Sequence, residues 1–151
     1  MAHINLEAVA DTLAIQHLLA RYPILVDSGD LDALDELFTT DARLDFTGFG
    51  GPDGGLAEMK EFLKGNLAFF ARTLHMMGLP LITLAAHTAT ARTPCHNPMV
   101  INQKDGSTQA WLIGLVYDDE FVETAEGWRF ASRTATRVYS VVGLTDTPLS
   151  G

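Results

Sequence analysis

The chain has 151 residues and a formal net charge of −9, with 47% hydrophobic and 19% charged residues. A length of this order predicts one domain, residues 1–151, with a core of its own. The composition is too apolar for a disordered chain. The acidic balance, in which no Lys or Arg has a basic neighbour in the chain, argues against nucleic acid or an anionic membrane surface as a partner.

Cysteine usage and the N-terminal sequence bear on location. Cys95 is the single cysteine, which excludes an intramolecular disulfide and a zinc site built from several cysteines. The chain does not start with a basic segment followed by an apolar one, and no apolar stretch reaches the roughly 18 residues that span a bilayer. We therefore expect a cytoplasmic protein without a membrane partner.

Two helices are predicted near the start of the chain. Apolar residues recur at helical spacing over 6–26, with Pro23 inside this first helix and Gly29 as its stop. Because proline lacks an N–H and its ring presses on the preceding turn, a bend is expected there. A second, short helix is expected over 31–38, with Asp30 as its N-cap.

One more helix and a series of strands follow. Alternation of apolar and polar residues predicts a strand over 42–47, which ends in a glycine-rich loop over 48–55. Helical spacing returns over 56–74. Four further strands are expected at about 79–84, 88–101, 108–123 and 128–142.

The predicted order is ααβαββββ, which places the chain in the α+β class. The helices must pack on one face of a mixed, mainly antiparallel sheet to bury their apolar sides, and a strongly twisted sheet curls around them. The result is a cone that encloses one pocket. Segment 111–116 is apolar throughout, so the outer face of the sheet also has apolar surface to cover, and we expect a homo-oligomer.

Three patterns carry a resemblance to a known family. They are the element order, the opening segment 14–16 that leads to 26–27, and the closing segment 127–130 followed by Arg133. Together they resemble the SnoaL-like family of the nuclear transport factor 2-like superfamily over nearly the whole chain. Scytalone dehydratase, bile acid 7α-dehydratase and hexachlorocyclohexane dehydrochlorinase are the members most similar in pattern.

The resemblance implies a catalytic set. These lyases pair an aspartate at the end of the first helix with a histidine after the third, and Asp27 and His75 match those positions. His75 is then the general base, and Asp27 fixes its tautomer and stabilises the imidazolium. Tyr22 matches a tyrosine of the bile acid enzyme and implies a proton donor. Arg133 matches an arginine of the dehydrochlorinase pattern and implies stabilisation of negative charge.

Structural alternatives stay open for all four residues. His75 alone is also typical of a helix-end residue that interacts with the C-terminal dipole. Asp27 is also a suitable cap or turn residue at a helix end. Tyr22 lies on the apolar stripe of its helix, where packing in the core is an ordinary role. Arg133 is predicted to share a strand face with Arg129 and Arg137, and such a row is typical of a solvated or interface surface.

The wall of the pocket is predicted to contain a histidine and several aromatic residues. His96 lies between Pro94 and Pro98, in a strand where scytalone dehydratase has a second pocket histidine beside a proline, so the resemblance implies that His96 binds substrate. The remaining substrate-binding residues are expected to be aromatic: Phe46, Phe62, Phe70 and Trp111. If these side chains filled the interior, a non-catalytic module would be favoured.

We therefore expect a cofactor-independent lyase, a dehydratase acting on a largely apolar cyclic molecule of polyketide, steroid or terpenoid type. No histidine pair has the spacing of metal ligands, and segment 48–51 lacks the lysine of a phosphate loop, so neither a metal nor a cofactor is expected. An enzyme similar to ketosteroid isomerase or polyketide cyclase is one alternative, and a binding or assembly module is another. The resemblance to dehydratases favours a trimer, with a dimer next.

Overall fold

The computed structural model describes residues 5–146 of the chain. Residues 1–4 and 147–151 of the predicted domain lie outside this description. Within it, helices pack on one eight-stranded sheet. The α-helices are α1 (Leu6–Ser28) and α2 (Leu56–Phe69), and two short 3-10 helices span Asp32–Glu36 and Thr47–Phe49. The strands are β1 (Phe38–Asp45), β2 (Asp53–Gly54), β3 (Arg72–Thr73), β4 (Met76–Met77), β5 (Leu81–Ala85), β6 (Thr88–Asn102), β7 (Thr108–Thr124) and β8 (Gly127–Asp146).

Helix α1 follows its sequence signals closely. At its start, the Asn5 side chain accepts hydrogen bonds from the N–H groups of Glu7 and Ala8, which have no partner inside the helix. At its end, Gly29 adopts a left-handed conformation with φ of 78°, which glycine reaches without steric cost. The helix continues past the buried Pro23. Its buried face, which packs in the core, comprises Ile15, Leu18, Leu19, Tyr22 and Val26.

The predicted helix over 31–38 is wrong in type and in length. The chain forms a 3-10 helix over Asp32–Glu36, and no side chain caps its start. Strand β1 already begins at Phe38, which pairs with Phe130 of β8. Pairing with a strand that is distant in the sequence therefore overrides the helical spacing of this segment.

The predicted helix over 56–74 also ends too late. Helix α2 stops at Phe69, and the following residues form β3 and β4, which both pair with β6. Residues 5–146 therefore contain two α-helices on the sheet where three helices were expected. The short non-helical segment after α2 carries His75, which lies between β3 and β4.

The sheet is open and mostly antiparallel. Its order is β2-β1-β8-β7-β6-β3, and β4 and β5 also pair with β6. Only β1 and β8 run parallel among the described strand pairs. The long strands β6, β7 and β8 form a meander with short turns, as the sequence predicts. No helix within residues 5–146 is long and apolar enough to cross a membrane.

Alternation along β6 decides which side chains reach the interior. Thr93, Cys95, Asn97 and Met99 are buried, whereas Pro94 is exposed. Successive side chains of a strand point to opposite faces, so the odd-numbered positions face the helices. We call this the inner face of the sheet.

A bulge in β8 separates two arginines that were predicted to share a face. The register with β7 shifts between Glu120 and Phe121, so that Arg129 pairs with Val122 whereas Arg133 pairs with Asp119. A one-residue shift moves side chains to the other face of a sheet. Arg133 therefore belongs to the inner face and Arg129 to the outer one.

Candidate functional site

A cavity of about 230 Å³ lies between α2, the 3-10 segment near residue 49 and the inner face of the sheet. The wall of the cavity is mostly apolar, and side chains do not fill the space that it encloses. The four aromatic residues expected at the pocket all line it: Phe46, Phe62, Phe70 and Trp111. Phe62 lies on α2, which also contributes Leu63, Asn66 and Leu67, and Trp111 comes from β7.

Asp27 and His75 are in direct contact at the edge of this cavity. Nδ1 of His75 lies 2.6 Å from Oδ1 of Asp27. A carboxylate can only accept, so Nδ1 carries the hydrogen, and Nε2 of the neutral ring is left as an acceptor. His75 lines the cavity and Asp27 does not. The imidazole therefore lies between the carboxylate and any bound molecule.

Two more hydrogen bonds hold the Asp27 carboxylate in place. The backbone N–H of His75 donates to Oδ2 at 2.8 Å, and the Thr73 hydroxyl donates to Oδ1. Burial raises the pKa of Asp27, but the hydrogen bonds and the charge attraction from His75, together with the Thr73 bond, more than offset this effect, and the pKa lies below its ordinary value. Asp27 is thus kept as a carboxylate beside the imidazole.

Asn97 completes the polar set from β6. Its Nδ2 lies 3.0 Å from Nε2 of His75, so that with the tautomer above the amide donates to the ring. Its Oδ1 is buried and has no hydrogen-bond partner among the described residues. Sequence patterns did not single out Asn97. It is a polar residue on the strand face that also carries Cys95 and Met99, and this position is the signal that could have identified it.

Tyr22 and Arg133 do not line the cavity. Both are fully buried, and the Arg133 guanidinium lies 4.1 Å from the centroids of the Tyr22 and Tyr117 rings. Burial raises the pKa of both tyrosines, so their hydroxyls stay protonated. Tyr117 is the tyrosine that reaches the cavity wall.

Arg133 has a partner that the sequence did not reveal. Its Nε and Nη2 donate to the two oxygens of Asp119 at 2.7 and 2.9 Å, and neither side chain is exposed. Burial lowers the pKa of Arg133, but the Asp119 carboxylate more than offsets this, so the pKa is raised and the guanidinium stays charged. In this structure Arg133 supports the core beneath Tyr117 and does not contact the cavity.

His96 lies on the other side of the sheet from the cavity. It lines a shallow groove on the outer face with Pro94, Gly114 and Tyr139, because its even-numbered position on β6 points away from the helices. The expectation that His96 binds substrate in the pocket is therefore wrong for this cavity, where Asn97 takes the corresponding place.

Cys95 and the other potential metal ligands complete the description of the reactive side chains. Burial raises the pKa of Cys95 to about 12, so the thiol is a poor nucleophile and acts as a small buried side chain. In the part of the chain that the structure describes, no group of three or more His, Cys, Asp or Glu side chains is placed to hold a metal ion.

Sequence comparison places the chain among known relatives. The SnoaL-like domain family matches residues 7–134. The uncharacterized protein Rv2910c of Mycobacterium tuberculosis is 36% identical over 136 residues, which cover 90% of this chain and 91% of that protein.

Solved structures agree with this placement. A protein of Novosphingobium aromaticivorans named as a candidate aromatic ring hydroxylase is 30% identical with a TM-score of 0.77, covering 90% of this chain and 95% of that one. A type 2 hexachlorocyclohexane dehydrochlorinase has a TM-score of 0.82 at 20% identity, and the match covers 96% of this chain and 98% of that one. A candidate scytalone dehydratase from N. aromaticivorans has a TM-score of 0.77 at 18% identity, and the match covers 95% of this chain and 96% of that one. At these identities the last two show a shared fold alone. The chain belongs to the SnoaL-like family.

Proposed function

We propose that this protein is a cofactor-independent lyase that eliminates water from a small, largely apolar cyclic molecule. The observation that carries the proposal is the 2.6 Å contact between His75 and Asp27 at the wall of an apolar cavity. A histidine held by a carboxylate is an effective general base, because the carboxylate fixes the tautomer and stabilises the imidazolium. Dehydratase and dehydrochlorinase names among the structural neighbours support elimination chemistry.

The proposed reaction begins at a C–H bond next to a carbonyl. Nε2 of His75 takes the proton, and the C–H electron pair forms the new double bond as the neighbouring C–O bond breaks. The leaving oxygen takes this proton back from the imidazolium and departs as water. Tyr117, which lines the cavity with a protonated hydroxyl, donates a hydrogen bond to that oxygen, in place of the donor that the resemblance implied at Tyr22.

Asn97 has two possible contacts with His75 during such a cycle. Its Nδ2 donates to the neutral ring in the structure, and this bond must yield when a substrate C–H approaches Nε2. Once the ring is protonated, Nε2 is a donor, and a rotated amide offers the unpartnered Oδ1 as an acceptor. Asn97 is therefore proposed as a positioning residue that matches both protonation states of the base.

Cavity size narrows the substrate class. The volume of about 230 Å³ lies below the ~300–1,000 Å³ of pockets for drug-sized ligands. A molecule with one or two rings fits this space better than a four-ring steroid. The aromatic walls, and the name of the hydroxylase neighbour, favour an aromatic or partly aromatic ring system.

The test uses a probe whose product is fluorescent. 3-Hydroxy-1-tetralone loses water to form 1-naphthol, and exchange of its C2 protons in deuterium oxide reports proton abstraction separately. We expect the wild-type protein to accelerate both processes. His75→Ala should lower the rate by about 10² to 10⁴, the usual contribution of a general base. Asp27→Asn should lower the rate by a large part of the same factor. The double variant should lower the rate little more than His75→Ala does, because the two residues act as a unit.

The matched control is His87→Ala, since His87 is exposed and pairs with Glu123 far from the cavity. It should keep the wild-type rate. Exchange without water loss would favour the isomerase or cyclase alternative. If the wild-type protein accelerates neither process, or if a folded His75→Ala variant keeps the full rate, the proposal is wrong.

A further inference from the structure

Arg137 is the cation at the mouth of the cavity. It lines the cavity, it is exposed, and it lies opposite Leu115 in the β7–β8 pairing, which places it on the inner face. Arg133 precedes it on the same face but is buried with Asp119. Of these two inner-face arginines, Arg137 is therefore the one within reach of a bound molecule.

The surroundings leave this charge without a counterion. Among the described residues, no side-chain hydrogen bond or salt bridge is made by Arg137, and no aspartate or glutamate belongs to the cavity lining. The chain as a whole carries a net charge of −9, so a general attraction for anions is not expected. The exposed Arg137 guanidinium, which pairs with no described carboxylate, is thus free to contact an anionic group of a molecule bound in the cavity.

The loop before α2 positions the Arg137 side chain. The Arg137 guanidinium carbon lies 5.8 Å from the centroid of the Phe49 ring, within the range of a cation–π contact. Gly48 brings this loop close to β8, because a Cβ at Gly48 would lie 3.2 Å from the Ala135 carbonyl oxygen. The close approach of the loop backbone to β8 therefore keeps the Phe49 ring beside the guanidinium.

We infer that Arg137 selects substrates that carry an anionic oxygen group, such as a ring carboxylate, and holds this group at the cavity mouth while the apolar ring enters the cavity. A guanidinium is a permanent cation whose planar donors match the two oxygens of a carboxylate. The inference deepens the proposed function and rests on it in taking the cavity as the substrate site. It adds that the substrate is an amphiphilic acid with an apolar ring body.

Binding without turnover tests this inference. 2-Naphthoate and 2-naphthamide have the same ring system and differ in charge, and Trp111 in the cavity wall supplies a fluorescence signal for titration. The wild-type protein should bind the carboxylate more tightly by roughly five- to tenfold, the effect of one partly exposed charge-assisted contact. Arg137→Gln should remove this preference while changing amide binding less than twofold. Arg137→Lys should keep part of the preference for the carboxylate. Added salt should weaken this preference only in proteins that retain a cation at position 137.

Two controls separate the possible causes. Arg92→Gln removes the same charge from the outer face, where Arg92 pairs with Asp118, and should leave the preference unchanged. His75→Ala should also keep the preference, which excludes an imidazolium as the attracting group.

The outcomes also separate this inference from the proposed function. The inference alone is overturned if Arg137→Gln loses affinity for both probes equally. It is also overturned if the wild-type protein does not prefer the carboxylate to the amide. If neither probe binds at millimolar concentration, the cavity is not an arene site and the inference is wrong together with that assignment. A preference that depends on Arg137 in a protein with no His75-dependent turnover leaves the inference standing and removes the proposed lyase function.

Discussion

Asn97 donates to the imidazole nitrogen that faces the cavity, and its replacement gives a sharp test at the scale of one residue. Asn97→Asp exchanges the N–H donor for a carboxylate, which favours the imidazolium form of His75. A general base must be neutral to accept a proton, so the acid limb of the rate profile should move to higher pH. The profile of probe turnover between pH 5 and 9 measures this shift. An unchanged limb with a uniformly lower rate would indicate only a packing role for Asn97.

Asp27 predicts a pH dependence of stability. Its pKa in the folded protein lies below the ordinary value, so the stabilisation is present above the unfolded-state pKa of about 3.9 and is lost as the pH falls through the folded value. Asp27→Asn should therefore be less stable than the wild type near pH 7, and the difference should shrink below about pH 4. Urea unfolding at several pH values measures it. The exposed Asp41→Asn variant serves as the control and should lack this trend.

The family resemblance identified Asp27 and His75. Asp27 lies near the end of α1, which local spacing predicts well, whereas His75 lies between β3 and β4, which local spacing missed. The sequence could not identify Asn97 or exclude His96. The two residues are adjacent on β6, and a single step of register decides which one faces inward. The prolines at 94 and 98 lie on the outer face, but nothing local in the sequence assigns them to it. The partner of Arg133 was equally hidden, since Asp119 meets it only through a bulged pairing of two strands.

At the scale of elements, the Arg133–Asp119 pair joins β7 and β8 beneath the cavity wall. Arg133→Met leaves a buried carboxylate without its partner, which should cost about 3–5 kcal/mol of the free energy of unfolding. Replacing both residues, as in Arg133→Met with Asp119→Leu, should recover most of this loss. Urea unfolding of the two variants checks the prediction. If the double variant folds well but loses probe turnover by more than tenfold, the buried pair also positions the cavity wall for turnover.

Elements defined by local spacing were predicted well, and those defined by distant pairing were not. Helix α1 and the three long strands appear close to their predicted bounds. The first residue of β1 and the whole of β3 lie in segments with the apolar spacing of a helix, but their backbone groups pair with β8 and β6. Such pairings depend on residues more than twenty positions away, so a local pattern cannot reveal them.

At the scale of the whole molecule, the outer face of the sheet favours self-association. Apolar side chains that include Leu81, Val138 and Val141 are largely exposed there. We expect a homo-oligomer at micromolar concentration, a trimer or otherwise a dimer, because a contiguous apolar surface is usually covered. Light scattering measures the mass, and Val141→Asp should shift it toward one chain. Leu13→Asp, at an exposed apolar position of α1, is the matched control, and a wild-type mass of one chain would contradict the expectation.

His75 lies between β3 and β4, and both strands pair with β6, the strand that carries Asn97. His75 and Asn97 are thereby attached to the hydrogen-bonded ladder of the sheet, whereas Phe62 on α2 and Phe49 in the preceding loop supply separate parts of the wall. Ligand range and reaction type can therefore vary independently in this architecture. Substitutions in α2 or in that loop can reshape the cavity for a new ring system without altering the spacing of His75 and Asn97, so that, if the proposed lyase function holds, the scaffold is well suited to directed evolution toward new substrates.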